Sequence, residues 1–131
     1  GIVAVCDALL EAKPSLSFLS ISGNEIGEEG YEGTKSVAKL IASINDSIVS
    51  FDASENELKS PGIRTIARAF NSGTVKEISF NLCEIGTVGA NALIEMVPRV
   101  PNLEAIQLDD NGFLENVVDR LTGTFGDKLA E

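Results

Sequence analysis

Four stretches of the chain place apolar residues at the same offsets. The first runs through Leu16, Leu19 and Ile21 to Asn24 and Ile26, and the second through Ile48, Phe51 and Ala53 to Asn56 and Leu58. The third has Val75, Ile78, Phe80, Cys83 and Ile85, and the fourth Leu103, Ile106, Leu108, Asn111 and Phe113. Within each stretch the second and third apolar positions are two residues apart, so they share one face of a short strand. A helical spacing follows each of them, as in Gly62-Ile63, Ile66-Ala67 and Phe70, or Gly89-Ala90, Leu93-Ile94 and Val97. The pattern predicts strand, turn and helix, repeated.

The shared spacing is L-x-x-L-x-L-x-x-N/C-x-L, the leucine-rich repeat pattern. Asn24 to Asn56 spans 32 residues, Asn56 to Cys83 27, and Cys83 to Asn111 28. The expected fold is therefore α/β, a right-handed solenoid with short parallel strands on a concave face and helices on a convex one. About four repeats are expected, plus a partial N-terminal repeat represented by Gly1, Val5, Leu9 and Leu10. Residues 1–131 then form one domain, read as a C-terminal fragment of a longer solenoid. An exposed apolar edge at Ile2, Val5 and Leu9 would favour self-association.

Local signals fill in the frame. Asn24, Asn56 and Asn111 should turn the chain and bond loop backbone through their amides, whereas Cys83 offers one weak donor. Gly30, Gly62 and Gly89 recur four residues after the last anchor and should bring helix starts close to the strands; Val117 stands where a fourth would be expected. Ser60 before Pro61, and Thr87, are expected helix N-caps, and Pro14, Pro98 and Pro101 mark helix ends. Gly27 to Thr34 reads as a lengthened loop with a helix starting near it.

Composition narrows the function. Twenty acidic residues against ten basic ones give a net charge of −10, which disfavours nucleic acid and anionic membranes and favours a basic protein partner. The absence of histidine excludes Ser-His-Asp and Cys-His catalysis and His-containing metal sites. Cys6 and Cys83, far apart, make neither a disulfide framework nor a metal motif and read as reduced, buried thiols of a cytosolic or nuclear protein. No cofactor, metal or catalytic residue is expected. Gly27 to Gly33 lacks a Walker lysine, Asp109-Asp110-Asn111 lacks the spacing of an EF-hand, and Arg64 and Arg68 read as a solvated helix face.

The candidate binding residues lie on the strand face and the turns leaving it, where solenoids take their partners. Glu25, Glu57 and Glu84 each sit between the Asn/Cys and the last anchor, forming an acidic column. Glu55, Asp109 and Asp110 lie beside it, and Asp52, like Asp109, is a non-anchor position of the strand face. Stacked strands bring such charges to about 5 Å spacing, so a cationic protein surface would relieve their repulsion.

The repeat length, the glycines and the full helices resemble the ribonuclease-inhibitor-like leucine-rich repeats. Within that class Asn102 to Asp127 resembles the last repeat of Ran GTPase-activating proteins, through Ile106, Leu108, Asn111-Gly112, Phe113, Glu115 and Val117-Val118-Asp119. The resemblance implies a parent that accelerates GTP hydrolysis on Ran in nucleocytoplasmic transport, located in the cytoplasm and near the nuclear envelope. It implies a solenoid that stabilises the GTPase's own catalytic machinery, with key residues in earlier repeats, so no catalytic residue is carried over. Two other kinds of interaction module share such repeats: the actin-regulating tropomodulin and leiomodin class, and sensors of the ribonuclease-inhibitor type.

Overall fold

A computed structural model describes residues 1–12, 15–26 and 31–130. The expected alternation is present. Helix α1 (Ile2–Ala12) is followed by β1 (Phe18–Ser20), α2 (Tyr31–Ile44), β2 (Ser50–Asp52), α3 (Lys59–Ala69), β3 (Glu77–Ser79), α4 (Thr87–Met96), β4 (Ala105–Gln107), α5 (Glu115–Phe125) and β5 (Leu129–Ala130). The strands form one parallel sheet in the order β1-β2-β3-β4-β5, because each helix returns the chain to the same end of the sheet.

The register is that of the apolar pattern. Leu19 pairs with Phe51, Phe51 with Ile78, and Ile78 with Ile106. Phe51, Ile78 and Ile106 are fully buried and Leu19, on the edge strand, is half-buried. Beneath the sheet, the ring of Phe51 meets Phe70 and Phe80 edge-on at 5.5 and 6.0 Å, a favoured aromatic geometry. The helices contribute Val37, Leu40, Ile41, Ile63, Ile66 and Leu93 to the same core. The architecture is a leucine-rich-repeat solenoid.

The row of strand anchors goes one step further than the four repeats expected. Leu129 pairs with Ile106 in a fifth strand, although the stretch around Gly126-Asp127-Lys128 reads as a plain ending. A two-residue strand carries too little pattern to be seen along the chain. At the other end Cys6 is buried, Ile2 and Leu9 are half-buried, and Val5 is exposed.

The helix caps also differ. Ser60 does not cap its own helix; its hydroxyl accepts the N–H groups of Gly86 at 3.2 Å and Gly89 at 3.0 Å, in the next repeat. Thr87 is the first residue of α4 rather than its cap, which is Gly86. Helix C-termini are closed in the same way from neighbouring repeats. Arg99 donates to the carbonyls of Phe70 and Ala67, each at 3.0 Å, and Asn45 donates to Ala69 at 2.9 Å.

Gly30, Pro14 and the segment 27–30 lie outside the described residues. In the first repeat Gly33 holds the position that Gly62 and Gly89 hold in theirs. A Cβ on Gly33 would stand 3.3 Å from Ile26 Cγ2, and one on Gly89 2.8 Å from Ile85 Cγ2, the last anchor of each repeat. Tyr31 to Thr34 form the first turn of α2. Among the described residues no helix is long and apolar enough to cross a membrane.

Candidate interaction surface

The turns that follow the strands are held by a ladder of side-chain amides. Asn56 donates to the carbonyls of Ile21, Ala53 and Ser54 at 2.9, 2.9 and 3.1 Å, and its Oδ1 accepts the N–H groups of Asn24 and Ile26 at 2.8 and 3.3 Å. Asn111 does the same two rungs on. It donates to Phe80, Leu108 and Asp109, and accepts from Cys83 at 2.8 Å and Ile85 at 3.4 Å. Cys83 takes the intervening rung with its thiol alone, which donates toward Ala53 at 3.3 Å and Asn81 at 3.4 Å. Burial pushes that thiol up to about 11, opposed by the backbone N–H groups of Asn56, Glu55 and Leu58 and aided by the charge of Asp52. Cys6 is also shifted upward, by burial and then by Asp7. Both cysteines are free and buried.

The ladder imposes left-handed backbone on both sides of each rung. Before the rung stand Gly23, Glu55, Leu82 and Asp110, at φ of 68°, 61°, 54° and 58°. After it stand Glu25, Glu57, Glu84 and Gly112, at 53°, 43°, 54° and 65°. Six of these eight are not glycine, so each bears the steric cost of a positive φ. Their side chains are thereby aimed outward on one rim.

That rim is where the structure assembles most of the predicted residues. Glu25, Glu55, Glu57, Glu84 and Asp110 line a shallow groove whose lining also includes Asn56 and Leu82. The carboxylate of Glu55 lies over the backbone of Gly23, 3.7 Å from where a Cβ there would be. The Lys35–Glu32 pair is the one ion pair among the described residues, so no contacting cation neutralises these five carboxylates.

Asp52 and Asp109 are not in this groove. Asp52 points from β2 between Ser20 and Ser79, and its carboxylate accepts the Ser54 N–H at 2.9 Å. Asp109 follows β4 and takes the position of Ser22, Ser54 and Asn81, its N–H donating to Asn81 Oδ1 at 2.8 Å. Their side chains belong to the strand face, which otherwise carries Ser50, Glu77, Ser79 and Gln107 and, at its edge, Phe18, 73% exposed.

Leu82 was not among the expected residues. It is 47% exposed and surrounded by acidic side chains. The signal for it was its register, one residue before the rung like Glu55 and Asp110, and reading that position needs the φ values rather than the hydrophobic pattern. Among the described residues, no cluster of His, Cys, Asp or Glu has the arrangement to hold a metal ion.

No protein-family model matches the chain. It is 28% identical over 127 residues to RAN GTPase-activating protein 2 of Arabidopsis thaliana; the match covers 95% of this chain but only 23% of that protein's length. Its fold is similar to that of the leiomodin-1 actin-binding site 2, with a TM-score of 0.77 at 9% identity, over 98% of this chain and 75% of the other. The second likeness is one of fold alone. The chain is a leucine-rich-repeat interaction module, with a repeat sequence resembling that of a GTPase-activating protein.

Proposed function

We propose that the chain is part of a GTPase-activating protein for the small GTPase Ran, and that its acidic rim docks a basic surface of that GTPase. The observation that carries this reading is the 28% identity to RAN GTPase-activating protein 2 across 95% of the chain. The rim supports it. Five unneutralised carboxylates on a rigid ladder set up a negative field that steers a cationic partner and orients it on arrival.

In this reading the repeats contribute docking and no reactive side chain. Hydrolysis is the work of the GTPase, stabilised by the solenoid and by repeats beyond this segment. The parent acts in nucleocytoplasmic transport, from the cytoplasm near the nuclear envelope.

The test is binding of the chain to Ran loaded with GTP or with GDP, at low and moderate salt, with GTP hydrolysis followed in the same samples. GTP-selective binding that weakens with salt is expected. Charge reversal at Glu57 and Glu84 should slow association and flatten the salt dependence. Both positions keep a non-glycine residue at positive φ, so the backbone cost is unchanged. Equal on-rates for the parent chain and the double variant would refute the docking role of the rim.

A further inference from the structure

We propose that the outer face of α2 and α3 is a second docking surface, for an acidic segment of a partner protein. Gly33 and Gly62 mark equivalent points on the two helices, since each packs against the last anchor of its own repeat. Two residues on from each stand Lys35 and Arg64, and six residues on stand Lys39 and Arg68. All four are exposed. Adjacent packed helices lie about 10 Å apart, and residues four apart on one helix are separated by about 6 Å. The four positions therefore mark the corners of one small rectangle on the two helices.

The chain has ten basic residues against twenty acidic ones, and four of the ten are gathered here. Among the described residues only Glu32, 3.7 Å from Lys35, answers them. Like charges four apart on a helix oppose its stability, and here both helices carry such a pair. Along α2 runs a trough lined by Glu32, Lys35, Ser36, Ala38, Lys39 and Ala42 of that helix and by Thr65 of α3. Tyr31 braces one end, its hydroxyl bonded to Thr65 and its ring 5.3 Å from the Lys35 ammonium. Small residues leave room for an extended or helical segment, with Lys35 and Lys39 in the lining and Arg64 and Arg68 on the neighbouring helix.

The extent of the patch selects the partner. At the equivalent positions α4 carries Asn91 and Glu95, and α5 carries Asp119 and Gly123. The positive field therefore ends after two helices and gives way to carboxylates. A long polyanion or an anionic bilayer would meet those carboxylates and the net charge of −10; a short acidic stretch of protein meets the four cations and, beside them, the single carboxylate of Glu32. This surface is separate from the acidic rim and of opposite sign.

The test uses the whole chain and a fluorescein-labelled peptide rich in Glu and Asp, followed by anisotropy at low and high salt. Salt-sensitive binding is expected, weakened about tenfold or more by Lys39→Glu with Arg68→Glu. Arg120→Glu, on α5, should leave it unchanged. If the double reversal melts early in circular dichroism, Lys39→Gln with Arg68→Gln removes the charge more gently and should still weaken binding. No peptide binding at low salt, an equal loss with Arg120→Glu, or tighter binding of an oligonucleotide or of phosphatidylserine vesicles would overturn the proposal. The GTPase is absent from this assay, so its outcome is independent of the Ran reading.

Discussion

Ser60 and Gly89 lie in different repeats, yet the hydroxyl of the first accepts the backbone N–H of the second at 3.0 Å and closes the start of the next helix. The approach leaves no room for a side chain, since a Cβ on Gly89 would come within 3.3 Å of Ser60 Cα. Ser60→Ala should cost about 1 kcal/mol, the usual loss of a cap. Gly89→Ala should also destabilise, by about 1 kcal/mol, because overpacking outweighs the helix propensity gained. Urea unfolding of both variants checks this. A stabilised Gly89→Ala would mean that the two repeats can part without cost.

The amide ladder predicts a contrast. Asn56→Ala removes a side chain that satisfies backbone groups of two repeats and should cost about 3 kcal/mol. Cys83→Asn installs the same amide where a thiol now makes two long contacts, and should raise stability by about 1 kcal/mol. Opposite signs from the two substitutions in one unfolding assay are expected. A destabilised Cys83→Asn would show that this rung is too narrow for an amide.

At Glu57 the backbone has a φ of 43°. Glycine adopts that conformation without the Cβ clash, so Glu57→Gly should be more stable than Glu57→Ala by about 1 kcal/mol. The comparison removes the carboxylate in both variants and leaves only the backbone term. Equal melting temperatures would contradict the left-handed assignment.

The strand register makes Ile78 the middle of the core, paired with Phe51 and Ile106 and 1% exposed. Ile78→Ala should cost about 2–5 kcal/mol. A loss below about half a kcal/mol would place Ile78 outside the core and break the register.

The Cys83 thiol is raised from its ordinary value to about 11 by burial. The folded state then holds its proton at pH values where the unfolded chain has released it. The resulting stability is complete below about pH 9, declines as pH rises, and is gone above about 11. Cys83→Ala should lack this component, so the stability gap between the two proteins should shift against the parent chain across that interval. Native Cys83 should also resist thiol reagents at neutral pH until the chain unfolds. Rapid labelling of the folded protein would contradict its burial.

By itself the sequence determined the solenoid. The anchors Leu19, Phe51, Ile78 and Ile106 form one row across the sheet, as their spacing required, because a period-two alternation has one way to face a core. It also located the acidic rim through Glu25, Glu57 and Glu84, since every repeat places the residue after its rung at the same point. Other features belong to contacts between repeats, which local patterns do not encode. Ser60 looks like a cap of its own helix and serves the next one; Gly33 packs against Ile26 as Gly89 does against Ile85; β5 exists only by pairing with β4. The tertiary structure likewise divided the candidate residues. Glu55 and Asp110 join the rim because the ladder turns their backbone left-handed, while Asp52 and Asp109 stay on the strand face. Spacing along the chain fixes which way a strand residue faces; the direction of a turn residue depends on the hydrogen bonds its backbone makes to the repeat beside it.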